Sequence, residues 1–264
     1  MDRLAIVIPA RLDSSRFPAK LLRRVAGRTI LEWTWSRAVA ARGATGVWIA
    51  TDSAEIELEA IAFGAPVIRT GACATGTDRV AAAIDSIRPA PRWVIDLQGD
   101  EPRIEPTVIE RVAERLRGVD EAIVTCGSPL ASYEDWIDPD VVKVVSAADG
   151  RALSFSRLPI PGTRARPDPA AFAAVRGLVL QHIGLYGFPC GLLRRFLALS
   201  PTKLEVVEGL EQWRALEAGI PILVVPVEWS APSIDTPADL ERARPALEAE
   251  AASRAPAREE GPEL

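Results

Sequence analysis

Short apolar runs rich in β-branched residues alternate with capped, helix-patterned stretches through the first hundred residues, and few folds accommodate that rhythm. Leu4 to Ile8 is such a run, and Pro9, which lacks an N–H for a sheet ladder, reads as its end. Thr29 followed by Glu32 has capping-box spacing, and the apolar positions after it predict a helix that stops near Gly43. Gly46 to Thr51 reads as a second strand, Ser53 as the cap of a helix ending near Gly64, Pro66 to Arg69 as a third strand and Trp93 to Leu97 as another. Strand and helix in turn predict parallel βαβ units, hence an α/β class.

From about residue 121 the rhythm changes. Ala122 to Leu130, Val141 to Val145 and Ala152 to Ser156 read as strands, with Asp149-Gly150 as a hairpin turn between the last two. We expect a single domain over 1–250 in which about 130–190 is a smaller antiparallel insertion. Lys203 to Ala218 has the apolar spacing of one long helix with Leu204, Val207, Leu210, Trp213 and Leu216 on one side. Ile220 to Val227 is the expected last core strand, and Thr236-Pro237 with Asp239 opens a final helix. Beyond Leu247 the chain is mostly Ala, Glu, Arg, Pro and Gly, and 251–264 is expected to be a disordered tail.

The 264 residues carry a formal net charge of -5, which argues against broad nucleic-acid or membrane-surface binding, so any basic site must be local. Three cysteines, far apart and without Cys-x-x-Cys spacing, read as reduced, buried small hydrophobes. No run approaches a membrane span, and the expected location is the cytoplasm. His182 is the sole histidine, so a metal site built from several imidazoles is excluded and magnesium, held by oxygen, is the expected ion.

Local basic character appears directly after the first strand, where Arg11, Ser14, Ser15, Arg16 and Lys20 sit in a loop stiffened by Pro9 and Pro18. Ligands of open α/β sheets bind outside strand carboxyl ends, so this loop suits a polyanion such as a nucleoside triphosphate; a plain solvated basic loop has the same composition. Thr70 to Arg79 is a small-residue loop that reads as a base or phosphate contact or as an ordinary capped turn. It is neither a Walker loop nor a dinucleotide fingerprint. Gln98-Gly99-Asp100-Glu101-Pro102 ends an inner strand with an acidic pair, and Asp235 lies beyond the last strand, so Asp100 and Asp235 read as a hard-ligand pair or as solvated turn acids and helix caps. Arg157, Arg164, Arg166 and Arg176 read equally as acid-substrate ligands or as surface charge.

Taken together, Ile8-Pro9-Ala10-Arg11, Ser14, Arg16, Pro18, Lys20, Ala50-Thr51-Asp52, Gly76-Thr77-Asp78-Arg79 and Gln98-Gly99-Asp100-Glu101-Pro102 form an ordered pattern. It continues with Phe155-Ser156-Arg157, His182 to Gly187, Leu210-Glu211-Gln212, Arg214 and Asp235-Thr236-Pro237. Over about 240 residues this resembles the cytidylyltransferases that activate 3-deoxy-manno-octulosonate (Kdo). The resemblance implies a Rossmann-like, GT-A-like nucleotidyltransferase core of three layers. It implies that Ala10, Arg11, Ser14, Arg16 and Lys20 hold the triphosphate, that Thr75, Gly76 and Gln98 contact cytidine, and that Asp100 and Asp235 hold magnesium. Arg11, Lys20, Asp100 and Asp235 would form the catalytic set. Arg157, Arg164, His182, Tyr186, Glu211 and Gln212 would line the sugar pocket, with His182 a polar sugar contact or a general base. The implied reaction is attack of the sugar's anomeric 2-hydroxyl on the α-phosphate of CTP with loss of pyrophosphate, in a homodimer. Another 2-keto acid sugar is the alternative acceptor. The chain departs from the family pattern at Ala19, where glycine is usual, at Thr75, at Phe188-Pro189 and at Trp213; a positive φ at Ala19 would be strained.

Overall fold

The computed structural model describes residues 3–14, 16–164, 166–228, 231 and 233–254. Its strands are β1 Leu4–Ala10, β2 Arg24–Val25, β3 Arg28–Thr29, β4 Gly46–Thr51, β5 Val67–Arg69, β6 Trp93–Leu97, β7 Ile123–Pro129, β8 Lys143–Ser146, β9 Ala152–Ser156, β10 Leu180–Pro189 and β11 Ile222–Pro226. Its helices are α1 Ile30–Ala40, α2 Ala54–Ala62, α3 Gly76–Ile84, α4 Pro106–Arg117, α5 Tyr133–Ile137, α6 Pro169–Val175, α7 Cys190–Leu197, α8 Lys203–Glu208, α9 Gln212–Glu217 and α10 Pro237–Arg254. The main sheet runs β11-β7-β10-β6-β1-β4-β5, with β8 and β9 attached through β10; β2 and β3 form a separate hairpin. Pairing is parallel everywhere along that path except at β10, which is antiparallel to both β6 and β7.

Alternation along β1 explains the layers. Leu4, Ile6 and Ile8 pack in one cluster with Trp33 of α1, Ile56 of α2 and Val112 of α4. Ala5 and Val7 pack in another with Val80 of α3 and Phe196 of α7. All five are 0–1 % exposed, so the strand is buried on both faces, as an inner parallel strand must be. The result is an α/β/α core. Caps expected at Thr29, Ser53 and Thr236 are in place, each side chain accepting from the backbone N–H three residues on.

Several expectations need correction. Pro9 does not end β1: it pairs with Ala50 of β4, beyond the point where the β6 ladder stops at Val7. The single helix expected over Lys203 to Ala218 is two helices, because Gly209 takes a left-handed φ of 63° and closes α8. Leu204 and Val207, expected on the buried side, are 45 % and 83 % exposed. The stretch after Leu247 stays helical to Arg254, and Glu250 pairs with Arg37; residues 255–264 lie outside the described ones. Helices α4 to α7 and the β2–β3 hairpin have no counterpart in the sequence reading. Cys126 and Cys190 are buried and free as expected, whereas Cys73 is partly exposed.

Residues 130–179 form an excursion with a small core of its own, Leu130, Trp136, Phe172 and Val179, while β10 returns to the middle of the main sheet. A fully buried ammonium braces the excursion. Lys143 donates to the carbonyls of Asp138 (2.8 Å), Val141 (2.6 Å) and Arg157, and burial lowers its pKa to about 8.

Ala26 and Gly27 turn the β2–β3 hairpin with φ of 51° and 80°. Such a turn demands left-handed backbone, which costs a Cβ-bearing residue about 1–2 kcal/mol, part of it offset by the greater unfolded-state entropy of glycine. Ala26→Gly should therefore stabilise the protein by about 0.5–1 kcal/mol. A thermal melt showing no rise, or a fall, would refute the strain.

Candidate functional site

Parallel pairing sets β1 between β4 and β6, so the loop leaving β1 and the turn leaving β6 open side by side. A cavity of about 370 Å³ lies there. Ala10 lines it from the end of β1, Arg11, Ser14, Arg16 and Lys20 from the loop that follows, Thr75 and Gly76 from the start of α3, and Gln98 and Asp100 from the β6 turn. These are all the residues expected on the nucleotide side; Ser15 lies outside the described residues. A Cβ at position 76 would stand 3.3 Å from both Gln98 Oε1 and Pro9 Cγ, a tight contact that favours glycine there. Thr75 caps α3, its hydroxyl 3.1 Å from the Asp78 N–H, so the Gly-Thr-Asp-Arg motif starts a helix toward the cavity. Arg79 is buried and pairs with Asp52 at 3.0 Å, which gives both motif residues a bracing role.

A second cavity of about 710 Å³ adjoins the first and is lined by Arg157, His182, Tyr186, Glu211 and Gln212 among others. Arg164, expected with them, lines neither cavity and is exposed, as are Arg166 and Arg176. The two cavities share Arg16, Gly76, Gln98, Asp100, Glu211 and Asp235. Those residues mark a seam.

Asp235 reaches the seam because the Ile234 N–H donates to the Asp100 carbonyl at 3.0 Å and Asp239 accepts from the Asp235 N–H at 3.1 Å. Lys20 Nζ lies 2.5 Å from Asp100 Oδ2 and 2.9 Å from Asp235 Oδ1, and Arg16 stands 3.3 Å from Asp235. The neighbouring carboxylates offset the burial of Lys20 and leave its pKa raised. A cationic group thus already bridges the two carboxylates, and two hard oxygen donors facing a phosphate-sized cavity fit a divalent cation that keeps water or phosphate as its other ligands. Among the described residues no group of three or more His, Cys, Asp or Glu is arranged to hold a metal ion, so Asp100 and Asp235 would act as a pair. Glu101 beside them is buried, and burial followed by the charges of Asp100 and Asp235 pushes its pKa well up. Ala19 does adopt the left-handed conformation, with φ of 52°, directly before Lys20.

In the larger cavity the arginine is partly committed. Arg157 donates to the carbonyls of Glu208 (2.8 Å) and Pro139 (3.0 Å), so it clamps the α8 end to the 138–142 wall. His182 Nε2 lies 2.9 Å from Thr125 Oγ1, and desolvation pushes its pKa down to about 3, which makes the imidazole a weak base for a sugar hydroxyl. Gln212 donates to the Tyr186 hydroxyl, while its own Oε1 has no partner. Sequence reasoning missed Asp96. It is fully buried on β6, accepts from Gln98 Nε2 at 2.7 Å and holds that amide in place. An acid inside the apolar run Trp93 to Leu97 was the available signal.

Comparison with known proteins settles the family. Residues 5–222 match the family described as Cytidylyltransferase. The chain belongs to the cytidylyltransferase family. Among its curated relatives, the 3-deoxy-manno-octulosonate cytidylyltransferase of Anaeromyxobacter sp. (strain Fw109-5) is 45 % identical over 249 residues, 94 % of this chain and 98 % of that one. The enzyme of that name from Halorhodospira halophila (strain DSM 244 / SL1) is 42 % identical over 89 % of this chain and 93 % of its own. A solved structure of CMP:2-keto-3-deoxy-manno-octonic acid synthetase complexed with CTP superposes with a TM-score of 0.86 at 34 % identity, over 94 % of this cytidylyltransferase and all of that chain. The α/β core of the family, expected from the sequence, is the fold observed.

Asp96 gives this cytidylyltransferase a pH signature. Burial, then the charge of Glu211, raises its pKa from 3.8 to about 8. An acid whose folded pKa is raised contributes stability that is fully present below about pH 4 and lost as pH climbs through about 8. The wild type should lose on the order of a few kcal/mol over that window, and Asp96→Asn should flatten the loss. Denaturant titrations at pH 5 and pH 8.5 decide it: equal slopes of stability against pH in both proteins would remove the buried acid as the cause.

Proposed function

We propose that this chain transfers CMP from CTP to the anomeric 2-hydroxyl of 3-deoxy-manno-octulosonate, releasing pyrophosphate and giving CMP-Kdo for lipopolysaccharide synthesis. The observation that carries the reading is the seam, where a cavity rich in basic and hydroxyl side chains meets a larger polar cavity across one pair of carboxylates. CTP in the first cavity and the sugar in the second would bring the α-phosphate and the attacking hydroxyl together there. Arg11, Ser14, Arg16 and Lys20 would neutralise the triphosphate and the leaving pyrophosphate. Thr75, Gly76 and Gln98 would seat the cytidine. Arg157, His182, Tyr186 and Gln212 would orient the sugar, His182 as a neutral hydrogen-bonding partner. Arg164 has no place in this arrangement. Magnesium, held by Asp100 and Asp235, would supply charge neutralisation at the reacting phosphate. Relatives named for Kdo at 42–45 % identity over most of their length favour this acceptor over other 2-keto acid sugars.

The same reading places the activity in one domain over 1–250, in the cytoplasm; no helix among the described residues is long and apolar enough to cross a membrane. It also includes a homodimer. Exposed Leu153, Leu158, Leu178, Val206 and Val207, each between 58 % and 83 % exposed, offer apolar surface for a second copy. Light scattering should give twice the chain mass at micromolar concentration, and a monomer there would contradict it.

Asp100→Asn and Asp235→Asn should each keep the fold and lower turnover by roughly a hundredfold or more, since each carboxylate is asked for a few kcal/mol of transition-state stabilisation. Pyrophosphate release with CTP, Kdo and magnesium, paired with thermal melts and magnesium-binding calorimetry, tests this. Normal turnover in either variant at ordinary magnesium would remove that residue from the site.

A further inference from the structure

Cytidylyl transfer requires the attacking hydroxyl to lose a proton, and His182, its Nε2 2.9 Å from the Thr125 hydroxyl and its pKa pushed down to about 3, is a weak acceptor for it. Three carboxylates line both cavities, Asp100, Asp235 and Glu211. The first two are paired with Lys20 and Arg16. Glu211 forms no ion pair among the described residues, and the one hydrogen bond its carboxylate receives from them is from Thr77 Oγ1 to Oε2, at 3.1 Å. Its place follows from Gly209, whose left-handed turn ends α8 and swings the next residues toward the seam instead of along a helix.

Thr77 also touches a second acid. Its Oγ1 stands 3.4 Å from Asp96 Oδ2. A hydroxyl has one hydrogen to donate, so both contacts are satisfied only when one of the two carboxyls supplies a proton of its own. Asp96 is fully buried with no cation beside it, whereas Glu211 borders open cavity, so the proton belongs on Asp96. Asp96 then donates to Thr77, Thr77 donates to Glu211, and Glu211 remains ionised with Oε1 unpartnered.

We propose that Glu211 is the general base of the reaction, positioned by Thr77 and Asp96. Resting on the cytidylyl-transfer reading, the step balances as follows: the sugar oxygen bonds to the α-phosphorus, its proton passes to Glu211, and the α–β anhydride P–O bond breaks with its electron pair leaving on pyrophosphate. Glu211 then returns the proton to solvent through the open cavity. The charges of Arg214, Glu205, Asp78, Asp96 and the Tyr186 hydroxyl act on it, and Arg16, Asp100 and Asp235 line the same cavities. Burial raises its own pKa and the Thr77 hydrogen bond lowers it, which suits a base that must be ionised yet accept a proton.

Pyrophosphate release from CTP, magnesium and Kdo, followed from pH 5 to pH 9, tests this in the wild type, Glu211→Gln and Thr77→Val. Glu211→Gln should lower kcat by about a hundredfold or more, leave the KM for CTP unchanged and abolish the acid limb of the pH profile. Thr77→Val, which removes the hydrogen bond favouring the ionised carboxylate, should move that limb to higher pH. Near-normal kcat and an intact acid limb in Glu211→Gln, with only the sugar KM raised, would make Glu211 a binding contact and overturn the proposal. An acid limb unmoved in Thr77→Val would overturn the relay, whether or not Glu211→Gln folds. If the wild type releases no pyrophosphate with any 2-keto acid sugar, the transfer reading itself fails and the base falls with it.

Discussion

The parallel pairing of β1 with β4 on one side and β6 on the other is the constraint on which the site depends. Because the register runs Leu4 against Trp93 and Ala5 against Gly46, the three strands end at the same edge, and their loops share it. The basic loop after Ala10, the start of α3 and the Gln98 to Asp100 turn therefore meet without any of them being long. Thr34 holds the Gly99 carbonyl at 2.9 Å from the opposite layer, and the Ile234 N–H holds that of Asp100. Hydrogen bonds to the main-chain carbonyls of the turn position the carboxylates before any charge–charge interaction comes into play.

A single antiparallel strand changes what the sheet can bind. With β10 entered between β6 and β7, Tyr186 stands opposite Asp96, and the chain reaches β10 only after the excursion that forms one wall of the larger cavity. That wall is braced from within by Lys143, whose amine serves three backbone carbonyls, and from the side by Arg157. An ammonium excluded from water is costly, and carbonyl dipoles compensate it only while all three stay in place, so the wall has one favoured position. Lys143 is thus spent on architecture, and Arg157 is partly committed to it while still lining the cavity.

The first hundred residues were legible because burial on both faces leaves continuous apolar runs, and caps such as Thr29 and Ser53 mark where helices begin. The loop residues lining the smaller cavity were legible for the same reason: they follow strands that can be seen. What was hidden depended on tertiary pairing. Nothing local says that β10 enters the sheet antiparallel, that Gly209 divides a helical pattern in two, or that Arg164 lines neither cavity. At Ala19, where the family pattern has glycine and a positive φ would be strained, the backbone does adopt a positive φ.

Charge balance at the seam explains why so many acids persist there. Asp96, Glu101 and Glu211 all have raised pKa values, and each has desolvation as its largest cause. Such groups cannot all be ionised together beside Asp100 and Asp235, so the site holds protons on the buried acids and charge on those bordering the cavities. Lys20 and Arg16 cover part of that remaining charge and are also the groups a triphosphate attracts. A polyanion that drew those cations away would leave the seam carboxylates without partners and better able to hold a divalent ion. Nucleotide and metal would therefore reinforce each other's binding through Lys20, and linkage requires the effect to be equal in both directions.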